Sequence, residues 1–219
     1  MKKLLIVATG FVFLLVSCST LISSRWKSKS AKAEKYNKIL VIGIVSNADS
    51  ALRGKMEKHL VGDLKDIGYT AISSYEELGP QLPKSANEKS MLDKLQTKGV
   101  DAVLTVVLLD KKKERYYVPG KVQYTPYSTS NNHFPNYYNT LTTRVFSEGY
   151  YEDQTKYFWE SNFYSGENEE LLYSVQTTSF QSGSLESLAH QYGRTIILDM
   201  VKHEIFSKPD ESQLYQKGF

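Results

Sequence analysis

The 219-residue sequence predicts one α/β domain over residues 37–206. Its sheet is mixed, with a βαβαβ half followed by an antiparallel meander, and helices cover it, the C-terminal helix packing on the sheet. Three observations predict this. The runs 38–46 (KILVIGIVS) and 101–109 (DAVLTVVLL) are almost wholly aliphatic, as central strands covered on both faces are. Between them, apolar residues recur every three or four positions, the helical period. Beyond residue 142, short runs of β-branched and aromatic residues alternate with turn residues. Hydrophobic residues make up 41% of the chain, which supplies a core and excludes a wholly disordered protein.

The first strand, 38–46, leads to Asn47 or Asp49, whose short side-chain oxygens suit a helix N-cap. Leu52, Met56, Leu60, Leu64 and Ile67 then share one helix face, with Arg53 and Glu57 one turn apart on another. Gly68 is placed to end this helix in the left-handed conformation. A short second strand follows over 69–75. Ser85 with Glu88 is a capping-box pattern, opening a helix that carries Met91, Leu92 and Leu95 and ends at Gly99. The third strand is 101–109, and the βαβαβ order implies parallel neighbours joined by right-handed crossovers. Residues 111–142 are polar and aromatic, with Pro119, Pro126 and Pro135, and read as a long loop with a short strand extension near 115–118. Three strands follow, 143–151, 155–164 and 171–180, with turns at Asp153-Gln154 and over 165–168. In the last of these Ser174, Gln176 and Thr178 give a polar second face. Ser184 caps a helix over 185–206 with Leu188, Tyr192, Ile196 and Met200 on one stripe, and 207–219 is a polar tail.

Residues 1–17 (MKKLLIVATGFVFLLVS) join two lysines to an apolar run of about 13 residues, short of the ~20 needed to span a bilayer and suited to a secretory signal. Leu15-Val16-Ser17-Cys18 resembles the bacterial lipobox. That resemblance implies cleavage between Ser17 and Cys18, a diacylglyceryl thioether on the Cys18 sulfur, and an acylated amine. Cys18 is the only cysteine, so no disulfide framework forms within the chain. By resemblance to such lipoproteins, in which Asp at this place retains the chain in the inner membrane, Ser19 favours the outer membrane, facing the periplasm, with surface export as the alternative. Cleavage removes Lys2 and Lys3 from 27 basic residues and leaves 25 against 24 acidic ones, a near-neutral balance that argues against nucleic acid as a partner. Residues 18–36 then read as a lipidated cysteine and a flexible basic tether.

The segments Gly99-Val100-Asp101-Ala102-Val103-Leu104, Trp159-Glu160-Ser161-Asn162-Phe163-Tyr164 and 172–180 (LYSVQTTSF) resemble those of small Bacteroidetes-type envelope lipoproteins of unknown function. Over residues 37–206 the chain is similar to the fold group shared by curli-secretion lipoproteins, the TolB amino-terminal domain and lipoprotein activators of peptidoglycan synthases. No long channel-forming hairpin of alternating residues is evident, so the resemblance does not extend to a curli-type pore.

No Gly-x-Ser-x-Gly elbow, Walker loop, Gly-x-Gly-x-x-Gly or His-Glu-x-x-His occurs, and no cofactor or metal is implied. Asp199 and His203, one turn apart, are two ligands at most. Residues 116–164 hold 15 of the 27 aromatics. Tyr124, Tyr127, His133, Tyr137 and Tyr138 form a candidate binding loop, because tyrosine offers a flat apolar face and a hydroxyl. Tyr150, Tyr151, Tyr157, Phe158, Trp159 and Phe163 suit a half-buried sheet face instead. The leading expectation is a non-catalytic, lipid-anchored envelope protein that binds another protein in envelope assembly or secretion. The alternatives are a glycan- or peptidoglycan-binding lipoprotein using the tyrosine loop and, more remotely, a hydrolase with an unrecognised site. Cys18→Ala is expected to abolish incorporation of a palmitate analogue and to release the chain from membranes.

Overall fold

The computed structural model describes residues 20–80, 98–120, 149–166, 168–180 and 183–207. Six strands form one mixed sheet: β1 (Thr20–Lys27), β2 (Ile39–Ile44), β3 (Ala71–Ser73), β4 (Ala102–Val118), β5 (Tyr150–Ser165) and β6 (Leu171–Phe180), in the order β1-β6-β5-β4-β2-β3. Three helices accompany them: α1 (Ser50–Asp66), α2 (Ser74–Leu78) and α3 (Leu185–Lys202). β2 runs parallel to β3 and β4, whereas β4, β5, β6 and β1 are successively antiparallel. The predicted α/β class and the mixed sheet are what the chain adopts.

The main core lies between one sheet face and the pair α1–α3. Leu52, Met56, Leu60 and Leu64 meet Leu188, Tyr192, Ile196 and Met200 above Ile39, Val41, Leu104, Val106, Trp159, Phe163, Tyr173 and Val175. A smaller cluster of Leu40, Ile42 and Val100 lies across the sheet. The predicted terminators act as expected: Gly68 has φ 93°, and Ser184 accepts a hydrogen bond from the Ser187 amide at 3.1 Å.

Several boundaries differ from the sequence reading. The stretch read as a flexible tether contributes β1, an edge strand on β6, so the folded unit begins by residue 20 rather than 37. Its Ser- and Lys-rich composition hid the strand, because the inward-facing Thr20, Arg25 and Lys27 are held by hydrogen bonds and an ion pair rather than by apolar burial. The second strand is only three residues long, because Ser73 caps α2 by accepting from the Glu76 amide, with Glu76 and Glu77 in the first turn. Asp49 occupies the N-cap position of α1 but makes no cap bond; its carboxylate receives Lys111 Nζ at 2.6 Å and Ser46 Oγ at 2.9 Å. The final helix stops at Lys202 rather than 206. Glu204 (φ 57°) turns the chain so that Ile205 and Phe206 enter the core. Asp153-Gln154 is no turn: β5 runs through it unbroken, paired to β4. The predicted helix from Ser85 falls on 81–97, outside the described residues, as do 143–148 of the first predicted meander strand and 208–219 of the tail.

Arg53 and Glu57 do pair, as their spacing allows, but in the interior. Glu57 is fully buried and accepts from Arg53 Nε and the Gly43 amide at 2.8 Å each, from Ser73 Oγ and the Tyr75 amide at 2.6 Å each, and from Ser74 Oγ at 2.9 Å. Where β3 ends, this carboxylate takes over as acceptor for the β2 backbone. Gly43 is required there: a Cβ would lie 2.8 Å from Arg53 Cγ. Five donors offset the desolvation of a charge that unpaired would cost several kcal/mol.

Between α1 and α3 one carboxylate is less well served. Asp63 Oδ2 is buried without a hydrogen-bond partner, and a Cβ on Gly193 would stand 2.4 Å from it. Burial pushes the Asp63 carboxyl up to about 6, against the opposing pull of His59 and Arg194. A raised acid pKa means that the folded state holds the proton more tightly. Its contribution to stability is therefore greatest below the ordinary carboxylate range and is lost as pH rises through about 6. Asp63→Asn is expected to stabilise the protein by about 1 kcal/mol above pH ~7, the gain vanishing towards pH ~4, as read by urea denaturation across pH.

Candidate functional site

β1 is an edge strand fastened at three levels. Thr20 Oγ1 and Ser179 Oγ share a buried hydrogen bond of 2.9 Å. Arg25 clamps Asp199 with both ends of its guanidinium, Nε to Oδ2 at 2.9 Å and Nη2 to Oδ1 at 2.6 Å, and Tyr173 OH donates to the same carboxylate. Lys27 Nζ donates to the His203 carbonyl at 2.7 Å, meeting the negative end of α3. Burial works to raise the Asp199 pKa, but the bonds from Arg25 and Tyr173 outweigh it and hold the carboxyl below its ordinary value. Asp199 and His203, weighed above as metal ligands, are thus committed elsewhere: His203 Nδ1 bonds the Asp199 carbonyl at 2.7 Å. Among the described residues no three His, Cys, Asp or Glu side chains converge as metal ligands.

With the helices on one face, the alternation of β1, β6 and β5 leaves the other face open. Register places Leu21, Thr178 and Phe158 in one cross-strand row, Ser24, Gln176 and Glu160 in the next, and Trp26, Ser174 and Asn162 in a third. Gln176 Nε2 and Asn162 Nδ2 donate to the two oxygens of Glu160 at 3.0 Å each. These bonds lower the Glu160 pKa and order the middle of the face. At its rim, Leu21 is 55% and Trp26 51% exposed. Lys156 Nζ stands 5.4 Å from both the Phe158 and Phe180 ring centres, within cation–π range. The surface is broad and amphipathic. Among the described residues a cavity of about 150 Å³ lies among Ser30, Tyr36, Asn168 and Glu170, below the usual size of a small-molecule site.

The second unusual feature is an arm. β4 and β5 continue past the end of β6 as a two-stranded ribbon, with pairs from Lys113↔Thr155 to Val118↔Tyr150. The sequence pattern divides this ladder into a strand, a loop with a short extension near 115–118, and two further strands. Cross-strand bonds hold the ribbon: Arg115 Nε to Asp153 Oδ1 at 2.7 Å, Tyr116 OH to Glu152 Oε2 at 2.8 Å, and Tyr117 against Tyr151 with ring centres 5.3 Å apart. Its root is pinned to the body by Lys111–Asp49. Tyr116, Tyr117, Tyr150 and Tyr151 are exposed near its far end. The expectation that the strand aromatics fill a half-buried face therefore holds for Tyr157, Trp159 and Phe163, which are buried in the core, and fails for Tyr150 and Tyr151.

Ser17 and Cys18, and the candidate binding residues Tyr124, Tyr127, His133, Tyr137 and Tyr138, lie outside the described residues. The structure brings forward Leu21, Trp26 and Glu160 of the open face, beside Phe158 and Gln176, which the sequence pattern places on sheet faces without marking them as site residues. Period-two alternation in β6 was the one signal that pointed to it.

No protein-family model matches the chain, and no curated protein matches it. Among solved structures, the fold is similar to that of PelC from Paraburkholderia phytofirmans, a dodecamer, at 9% identity over 86% of this chain and 99% of that chain, with a TM-score of 0.45. It is also similar to lipoprotein GNA1162 from Neisseria meningitidis, at 13% identity over 76% and 99%, with a TM-score of 0.42. A PDZ domain protein from Parabacteroides distasonis matches at 9% identity over 87% of this chain and 37% of that one, with a TM-score of 0.38. The likeness is remote. No helix among the described residues is long and apolar enough to cross a membrane.

Arg25→Met removes the clamp and leaves the Asp199 carboxylate facing only Tyr173 and His203. The expected cost is about 2 kcal/mol in denaturant unfolding, that of stranding a partly buried charge. Because the native Asp199 pKa is lowered, the wild type loses this contribution as pH falls through the carboxylate range. The gap between variant and wild type is expected to narrow on acidification.

Proposed function

We infer that this is a non-catalytic, lipid-anchored protein of the cell envelope whose open sheet face binds another envelope protein. The anchor rests on the lipobox-like Leu15–Cys18 and the signal segment before it, and Ser19 favours the outer membrane, on its periplasmic side. The observation that carries the binding role is the face itself. Trp26 and Leu21 stand exposed beside a polar middle already ordered by Glu160, Gln176 and Asn162, so a partner meets a surface that is amphipathic and largely preorganised. Aromatic anchors around satisfied polar groups suit a broad protein contact.

The buried charges support a role without chemistry. Glu57 and Asp199 each spend their lone pairs on internal donors, and both lie in the body of the fold rather than in a cleft. An assembly or secretion role is the setting in which such a tethered binding face is of use.

The test is photo-crosslinking in intact cells, with the reactive residue at Trp26 or Thr178 on the open face and at Leu198 on the exposed side of α3. A discrete crosslinked product from the first two positions and none from the third is the expected result. Equal labelling at all three, or none at the open face, removes the face from this role. Trp26→Ala, with the fold verified by its unfolding midpoint, is expected to weaken the crosslink formed from Thr178 at least several-fold.

A further inference from the structure

We propose that the β4–β5 arm lies in the lipid headgroup layer of the same membrane that holds the anchor. This inference rests on the lipid anchor proposed above. Register shows from which side β1 enters the sheet. Thr20 pairs with Ser179, Ser179 with Tyr157, and Tyr157 with Lys111, so these four residues lie on one cross-strand row. β1 enters the sheet from that row, and the arm leaves the sheet past it, on the same side.

The two distances are very unequal. Cys18 is two residues before Thr20, so its Cα is at most about 8 Å from that row. The arm runs from Lys111 to Val118, seven steps, or about 24 Å at ~3.4 Å per residue. Sheet twist of about 20–25° per strand, accumulated between β1 and the arm, reduces its reach along β1 to roughly 14 Å. The arm therefore reaches past the Cα of Cys18, to the level of its thioether and the lipid glycerol. Laterally its root is only two to three strand spacings from β1, about 10–14 Å. β1 cannot swing away to relieve this, because Thr20, Arg25 and Lys27 are bonded to β6 and α3.

The composition of the arm follows the polarity of a membrane surface. Next to the body come Lys111, Lys112, Lys113 and Arg115, cations suited to phosphate groups. Farther out stand the exposed Tyr116, Tyr117, Tyr150 and Tyr151, the amphipathic rings that favour the interface. The acids between them pair with some of these same cations, Asp153 with Arg115, Asp110 with Lys112 and Glu114 with Lys156, while Tyr116 donates to Glu152; 110–118 and 150–156 together hold five basic side chains against four acidic ones, a net charge of +1. With the Val118–Tyr150 end toward the membrane, the arm places these rings deeper than the cations.

The acylated full-length protein, in phosphatidylethanolamine–phosphatidylglycerol vesicles, tests this. Thioether formation leaves Cys18 without a free thiol, so Tyr117→Cys or Tyr151→Cys carries an environment-sensitive dye alone, and Lys98→Cys at the far end of the sheet is the control. The expected result is a blue-shifted dye at 117 and 151, quenched several-fold more by headgroup-nitroxide lipid than at 98, and shielded from aqueous iodide. A protein that floats with the vesicles while all three dyes remain open to iodide overturns the arm's placement and leaves the anchor standing. Shielding from iodide without lipid quenching means that protein covers the arm, and also overturns it. Failure to float with the vesicles overturns the anchor reading and this inference together.

Discussion

The clamp of Arg25 on Asp199, with Tyr173 as third partner, governs how this molecule is held. It is the point at which a basic, serine-rich stretch becomes part of the sheet. A strand as polar as β1 contributes little hydrophobic burial, since most of its side chains remain at the surface. Its place depends on ladder bonds to β6 and on a charge pair whose acidic member is almost fully buried. Exposed ion pairs are worth little, but this one is bidentate and joined by a third donor, the geometry in which such a pair gains most. Through it, the segment that leads to Cys18 is coupled rigidly to the C-terminal helix.

That coupling changes what the amino terminus does. A loose spacer would let the domain take any orientation beside a membrane. A strand bonded into the sheet fixes residues 20–27 relative to the arm and the open face, so the anchor inferred at Cys18 would allow only a narrow range of orientations. The Glu57 site shows the same economy elsewhere: one carboxylate replaces the hydrogen-bonding edge of a strand that stops after three residues.

Much of the fold was legible in the residues. Aliphatic runs such as 38–46 and 101–109 read as central strands because burial on both faces leaves no polar alternation. α1 and α3 read as helices because their apolar residues keep the helical period. The reading went wrong where a segment's environment is set by distant chain. β4 and β5 lose their covering layer beyond Asp110 and become a ribbon exposed on both faces, whose local pattern is that of a loop. Arg25 and Asp199 are 174 residues apart, and nothing near either one announces the other. The open face was half legible, from the polar alternation of β6, yet its rim residues Leu21 and Trp26 lay in what read as a tether.

By itself the sequence determined the α/β class and the helix ends at Ser184 and Gly68, and it supplied the expectation of a signal with a single cysteine at its end. These are local properties, set by periodicity, side-chain capping and the length of an apolar run. Tertiary structure alone decided that residues 20–27 are an edge strand, that the β4–β5 ladder outruns the sheet, and that the start of β1 and the arm lie on one side of the domain. Strand pairing is a contact between segments far apart in the chain. Its register fixes direction and level in space, which no local pattern of residue types encodes.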